Sequence, residues 1–298
     1  MARSRPLAGR DVAGGAASPD GEGIGVTEGE YPGSAPDRAG DGAGSGPSGP
    51  ERSAPPRPED TGPSHRWGFG AFLLVEVVLL TTAAFVGALL GGGPVESLPV
   101  RDVLIGTMTP TLLATAAALA ITKVRGNGPL ADLRLSWRWD DVRIGLKFGV
   151  LGLVCTVVGV LVWTEAVGEA NTGSAIGTLV ENKPMPVSAA LVMFVYLWLL
   201  GPICEEIIYR GVLWGAAERL GWGSVRWSRF AAFVLSTAVF AVSHLEPLRT
   251  SLLLVIAIPI GLARLVTGRL LGSIVAHQMN NFLPALAILL TSLGVLTT

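Results

Sequence analysis

From Trp67 onward the chain is a succession of long apolar runs, and this decides what it can fold into. A helix needs about 20 apolar residues to cross the hydrocarbon core of a bilayer, where only its own backbone hydrogen bonds are available. Seven runs qualify: 69–92, 102–122, 144–164, 187–210, 229–245, 250–267 and 270–296. Residues 103–122 and 270–298 carry no formally charged side chain. Only Glu246-Pro247-Leu248-Arg249 separates the fifth run from the sixth. That pair reads as two spans or as one hairpin dipping into the bilayer, with two spans preferred. The expected fold is all-α, a polytopic transmembrane helical bundle of about seven spans over residues 67–298.

Residues 1–66 are unlike the rest. They hold 10 of the 20 prolines, 14 of the 39 glycines, one aromatic residue (Tyr31) and no lysine. Such a segment offers too little apolar surface to form a core, so a disordered, Gly/Pro-rich tail is expected. A solvated tail is the plain reading and a tethering arm the alternative. No apolar stretch follows Met1 as in a secretory signal. Charged residues make up only 15% of the chain and the net charge is -1. A soluble domain carries about a quarter charged residues, and a nucleic-acid partner would call for a basic excess. Both classes are excluded. Cys155 and Cys204 each sit inside an apolar run, so no disulfide framework is built from them.

Loop charges orient the bundle. Lys123, Arg125, Arg134, Arg138 and Arg143 fall between the second and third spans. Arg210, Arg219, Arg226 and Arg229 flank the next even-numbered gap, and Arg264 and Arg269 the one after. The alternate loops offer Arg101, Lys183 and Arg249. The positive-inside rule therefore gives a multi-pass protein of the cell membrane with a cytoplasmic N-terminus and an external C-terminus.

Ionisable groups within a bilayer cost several kcal/mol, which makes each a functional candidate. They are few here: Glu76, Glu205, Glu206, Arg210, His244 and His277, with Asn281 one helical turn after His277. On a helix Glu206 and Arg210 stand at i,i+4 and share a face, while Glu205 points about 100° away. One carboxylate is thus charge-paired and its neighbour left for general-base work. The plain alternative makes both glutamates part of a cytoplasmic helix end, snorkelling to water. His277 and Asn281 can converge on one small group, a water or an oxyanion. Other intramembrane protease chemistries lack their residues. The chain has no His-Glu-x-x-His zinc motif and no aspartate pair within its spans. Ser243 faces about 100° away from its neighbour His244 on a helix.

These segments resemble the CPBP family, the CAAX-protease and bacteriocin-processing intramembrane proteases. The family motifs Glu-Glu-x-x-x-Arg, Phe-x-x-x-His and His-x-x-x-Asn stand here as Glu205-Glu206…Arg210, Phe240…His244 and His277…Asn281, in that order. The resemblance covers about 187–290. It implies a water-accessible cavity formed by the fourth, fifth and last spans. By the same resemblance Glu205 is the general base on a water, His244 assists, His277 and Asn281 bind the oxyanion, and Glu206 pairs with Arg210. Two versions stay open, a metal-free glutamate base and a divalent metal such as zinc held by Glu205, His244 and His277. The expected function is intramembrane endopeptidase action on a membrane-associated protein or peptide. A non-catalytic binding or immunity protein on the same scaffold is the alternative, and a proton-relay transporter a third reading. Arg outnumbers Lys 19 to 3, as in a high-GC bacterium, where prenylated substrates are not expected. One tension remains: the proposed boundaries put Glu205 near the cytoplasmic side and His244 near the outer end. The depths agree if the fourth helix continues past Arg210 to about Leu220.

Overall fold

The computed structural model describes residues 66–90, 98–168, 171–174, 177 and 185–296. The proposed tail therefore lies outside the described residues, save Arg66. Among those described there is no strand, and seven helices are long and apolar enough to cross a membrane. They are α1 (Phe69–Leu89), α2 (Val100–Arg125), α4 (Trp139–Val167), α5 (Val187–Glu218), α6 (Val225–Ser243), α7 (Pro247–Thr267) and α8 (Leu270–Ser292). A single helical turn, α3 (Pro129–Asp132), lies between α2 and α4. The fifth and sixth runs are two spans.

Several boundaries differ from the sequence expectation. The helix α2 runs beyond 102–122 at both ends, with Asp102 in its first turn and Lys123 and Arg125 in its last. Similarly, α4 begins at Trp139 with Asp140 and Asp141 in its first turn. Hydropathy stops at such charges, whereas a helix continues through them, because acids at its N-terminus and bases at its C-terminus complement its dipole. The first and last spans end earlier than expected, at Leu89 and Ser292. Ser224 caps α6 by accepting from the Trp227 N–H, moving that span's start from 229 to Val225. The fourth span reaches Glu218, which sinks Glu205 into the bundle.

Close packing depends on glycine. Gly145, Gly149 and Gly152 of α4 are buried along one stripe facing α8. A Cβ on Gly145 would lie 2.6 Å from the Gly272 carbonyl oxygen, and one on Gly149 2.8 Å from Met279. Small residues let membrane helices approach in this way where no hydrophobic driving force draws them together. On the other side α1 pairs with α2. The central helix α5 is buried at every position from Glu206 to Leu213. Ile208, Val212 and Leu213 pack there with Val75, Ala114, Ala118, Leu133 and Phe240. The outer helices present Leu73, Phe85, Leu113, Val157 and Leu161 outward, as lipid contact requires.

At the basic end Trp67 ties three elements together. Its indole N–H donates to Asp132 at 2.6 Å, and the Arg219 guanidinium stacks 3.7 Å from the ring centroid. Asp132 also accepts from the backbone N–H and side-chain amide of Asn127.

Candidate active site

The helix α5 is not uniformly α-helical. Two stretches, Tyr196–Leu200 and Glu206–Leu213, have the wider π geometry. Pro202 supplies a local cause for the first, since it has no N–H to donate and its ring clashes with the preceding turn. Carbonyls of that widened turn accept from α8 instead: Asn281 Nδ2 donates to Leu197 at 3.3 Å and Gln278 Nε2 to Leu199 at 3.3 Å. Nothing in the local sequence dictates the second stretch. Such π turns recur at functional sites.

Each sequence-singled residue has a definite place. Glu205, His244, His277 and Asn281 line one cavity of about 360 Å³. Glu206 and Arg210 do not line it; they form its buried support. Both are 0% exposed and paired at 3.0 Å between Arg210 Nη1 and Glu206 Oε1. Glu205 keeps 27% of its side chain exposed. The i,i+4 arithmetic thus yields one shielded carboxylate and one open one.

His277 joins the two. Its Nδ1 lies 3.0 Å from Glu206 Oε1 and its Nε2 lies 3.6 Å from Glu205 Oε2. A paired carboxylate only accepts, so Nδ1 carries the proton, and the ring is held with Nε2 toward the cavity. The other histidine is oriented in the same manner. His244 caps the C-terminus of α6, and its Nδ1 donates to the Phe240 carbonyl at 2.7 Å. That bond leaves Nε2 with the lone pair. Phe240 sits between these groups: its ring meets those of His244, His277 and Tyr209 edge-on at 4.7, 5.6 and 5.4 Å. Arg210 stacks on the same ring at 4.4 Å.

Sequence reasoning passes over Tyr196, Thr156 and Asn280, which also line the cavity. Asn280 is buried and accepts from Thr156 Oγ1 at 2.8 Å. An amide in a charge-free span was the available signal. Glu76 does not line the cavity; its carboxylate faces the Tyr209 and Ser243 hydroxyls. Among the described residues, no three His, Cys, Asp or Glu side chains stand together closely enough to hold a metal ion. In this arrangement Glu205, His244 and His277 therefore do not fit a resident zinc.

Residues 187–283 match the family model described as Rce1-like, type II CAAX prenyl endopeptidase Rce1-like. The chain carries an Rce1-like segment. Comparison with curated proteins and with solved structures gave no match. The Rce1-like segment contains α5, α6, α7 and the first half of α8, hence all seven motif residues, consistent with the CPBP and CAAX protease family. The helices α1, α2 and α4 lie outside it.

Proposed function

We propose that the chain is an intramembrane endopeptidase that hydrolyses a peptide bond of a membrane-associated protein or peptide, with Glu205 as the base acting on water. The observation that carries this reading is the division between the two carboxylates. Glu206 is sealed in a pair with Arg210, and Glu205 opens into a cavity shared with two oriented imidazoles and a carboxamide.

In this reading Glu205 takes a proton from water as the oxygen adds to the scissile carbonyl. His244 Nε2 accepts a hydrogen bond from the same water and orients it. The carbonyl oxygen becomes an oxyanion facing His277 Nε2 and receives a hydrogen bond from Asn281 Nδ2. One Asn281 N–H is committed to Leu197, which leaves the second for this role. Glu205 then returns its proton to the leaving amine as the C–N bond breaks. Glu206 holds His277 at Nδ1 and Arg210 holds Glu206. No step passes through a metal.

In this reading the protein is a multi-pass protein of the cell membrane with a cytoplasmic N-terminus, an orientation supported by the basic connections between even-numbered spans and the next. The test is quantitative proteomics on membranes from cells expressing the wild-type chain or Glu205→Gln. A shortened protein or peptide present only with the wild type supports proteolysis. Identical membrane proteomes favour a non-catalytic binding or immunity role on the same scaffold.

A further inference from the structure

The two ends of the bundle differ in charge, and the cavity belongs to only one of them. Arg125, Arg134, Arg138, Arg219, Arg226 and Arg269 all sit on or beside the connections at one end. At the other end the described residues include two arginines, each held by an adjacent acid. Arg101 Nε lies 2.9 Å from Asp102 Oδ1, and Arg249 Nη1 lies 2.8 Å from Glu246 Oε2. The positive-inside rule makes the first end cytoplasmic.

The cavity reaches the second end. Ser174, from the α4–α5 connection, and Glu246 and Arg249, from the α6–α7 connection, line it. None of the basic connections contributes a lining residue. Toward the cytoplasm the way is closed. Behind Glu205 lie the buried Glu206–Arg210 pair and Phe240, then Leu133, Trp214 and Arg264, all buried. From Glu205 the helix continues 13 residues, more than three turns, to Glu218.

We propose that the cavity takes its substrate from the non-cytoplasmic face of the membrane. The scissile bond then lies in an extended segment that emerges on that face or dips back into the outer leaflet from it. The wall between mouth and Glu205 refines this. Val160, Leu197, Leu252, Leu253, Ile256 and Ile288 form it, so the segment carries apolar side chains beside the bond that is cut. A volume of about 360 Å³ is in the range of small-ligand pockets and admits a strand, not a folded domain. The word substrate rests on the protease reading above; the side of access does not.

The experiment therefore measures access without asking for activity. Single cysteines replace Leu248 at the mouth, Ile288 on the wall and Val225 at the basic end. Thr107→Cys, also lining the cavity but on α2, repeats the wall test in case Ile288→Cys fails to fold. A membrane-impermeant cationic methanethiosulfonate is applied to right-side-out and to inverted vesicles. The unmodified chain, with Cys155 and Cys204, sets the background. Labelling of Leu248→Cys and the wall cysteines from outside, lost in inverted vesicles, with Val225→Cys showing the reverse, supports the proposal. Wall cysteines that label only in inverted vesicles, or from neither side, overturn it. Adding Glu205→Gln separates the two ideas: the labelling pattern should persist in a chain that no longer cleaves. If neither chain cleaves yet access is external, the protease reading fails and the access route stands.

Discussion

Breaking the Glu206–Arg210 pair should cost stability in a pattern that a merely nearby pair would not give. Charges 3.0 Å apart attract by about 5–6 kcal/mol at an effective dielectric of about 20. Desolvation of both groups offsets most of that, so the pair as a whole contributes little. Removing one partner is different, because it strands a charge that is 0% exposed. That situation costs about 3–5 kcal/mol. For a domain of this size it lowers the melting temperature by on the order of 10 °C. Arg210→Met should sit at the upper end, since it also removes the stacking on Phe240 at 4.4 Å and the donation to the Ala257 carbonyl. Glu206→Gln should sit at the lower end, because its amide oxygen still accepts from His277. The double variant Glu206→Gln/Arg210→Met buries no net charge and should recover much of the loss. Its coupling energy falls in the range of about 0.5–3 kcal/mol seen for residues in one network. The assay is thermal denaturation in detergent, read as loss of monodisperse protein, for the wild type and all three variants. Strict additivity of the two single losses, or a wild-type melting temperature for Glu206→Gln, refutes the reasoning. A Glu206→Gln chain that is fully stable yet inactive moves the general base from Glu205 to Glu206.

Other consequences are simpler to state. Glu205→Gln should abolish cleavage of the identified substrate and leave the melting temperature within a few degrees of wild type, since its side chain is part-exposed and the amide oxygen of Gln can still face His277 Nε2. Asn281→Ala should lower kcat by about 10²–10³-fold if its amide binds the oxyanion; a KM effect alone would count against that role. Gly145→Ala should destabilise the α4–α8 contact by about 1–3 kcal/mol, because the added methyl meets a backbone oxygen that has no rotamer to escape into. Trp67→Phe should cost about 1–3 kcal/mol, the price of removing a 2.6 Å donor from buried Asp132, whereas a chain starting at Arg66 should denature like the full one.

The span count and the Glu206–Arg210 contact were legible because they depend on composition and local spacing alone. Glu206 and Arg210 are four residues apart on one helix, so their contact needs no knowledge of the fold. The same arithmetic turns Glu205 elsewhere. The Gly145-x-x-x-Gly149 stripe was also present to be read, as small residues one turn apart in an apolar run, and it marks where α8 lies against α4. The π turns were not legible. Two carbonyls of the first, Leu197 and Leu199, accept from Asn281 and Gln278, some eighty residues further along, and a hydropathy pattern carries no record of where a backbone bond goes.

Depth was the quantity composition misjudged. About 20 residues suffice to cross the hydrocarbon core, yet α5 runs 32 residues and α4 29, so each has turns in excess that can lie at either end. Sequence alone leaves the vertical register of such helices free to slide. Contacts fix it: Glu205, 13 residues from the basic end of α5, meets His277, only seven residues into α8 from that same end. His244, at the far end of α6, reaches the same cavity. Helices of unequal length can bring these three together only when staggered or tilted. The stagger leaves the buried Glu206–Arg210 pair beneath the cavity and carries its lining beyond His244 to Glu246 and Arg249. Motif spacing therefore determines which residues meet, while loop charge and helix stagger together carry the proposal that a substrate enters from the non-cytoplasmic face.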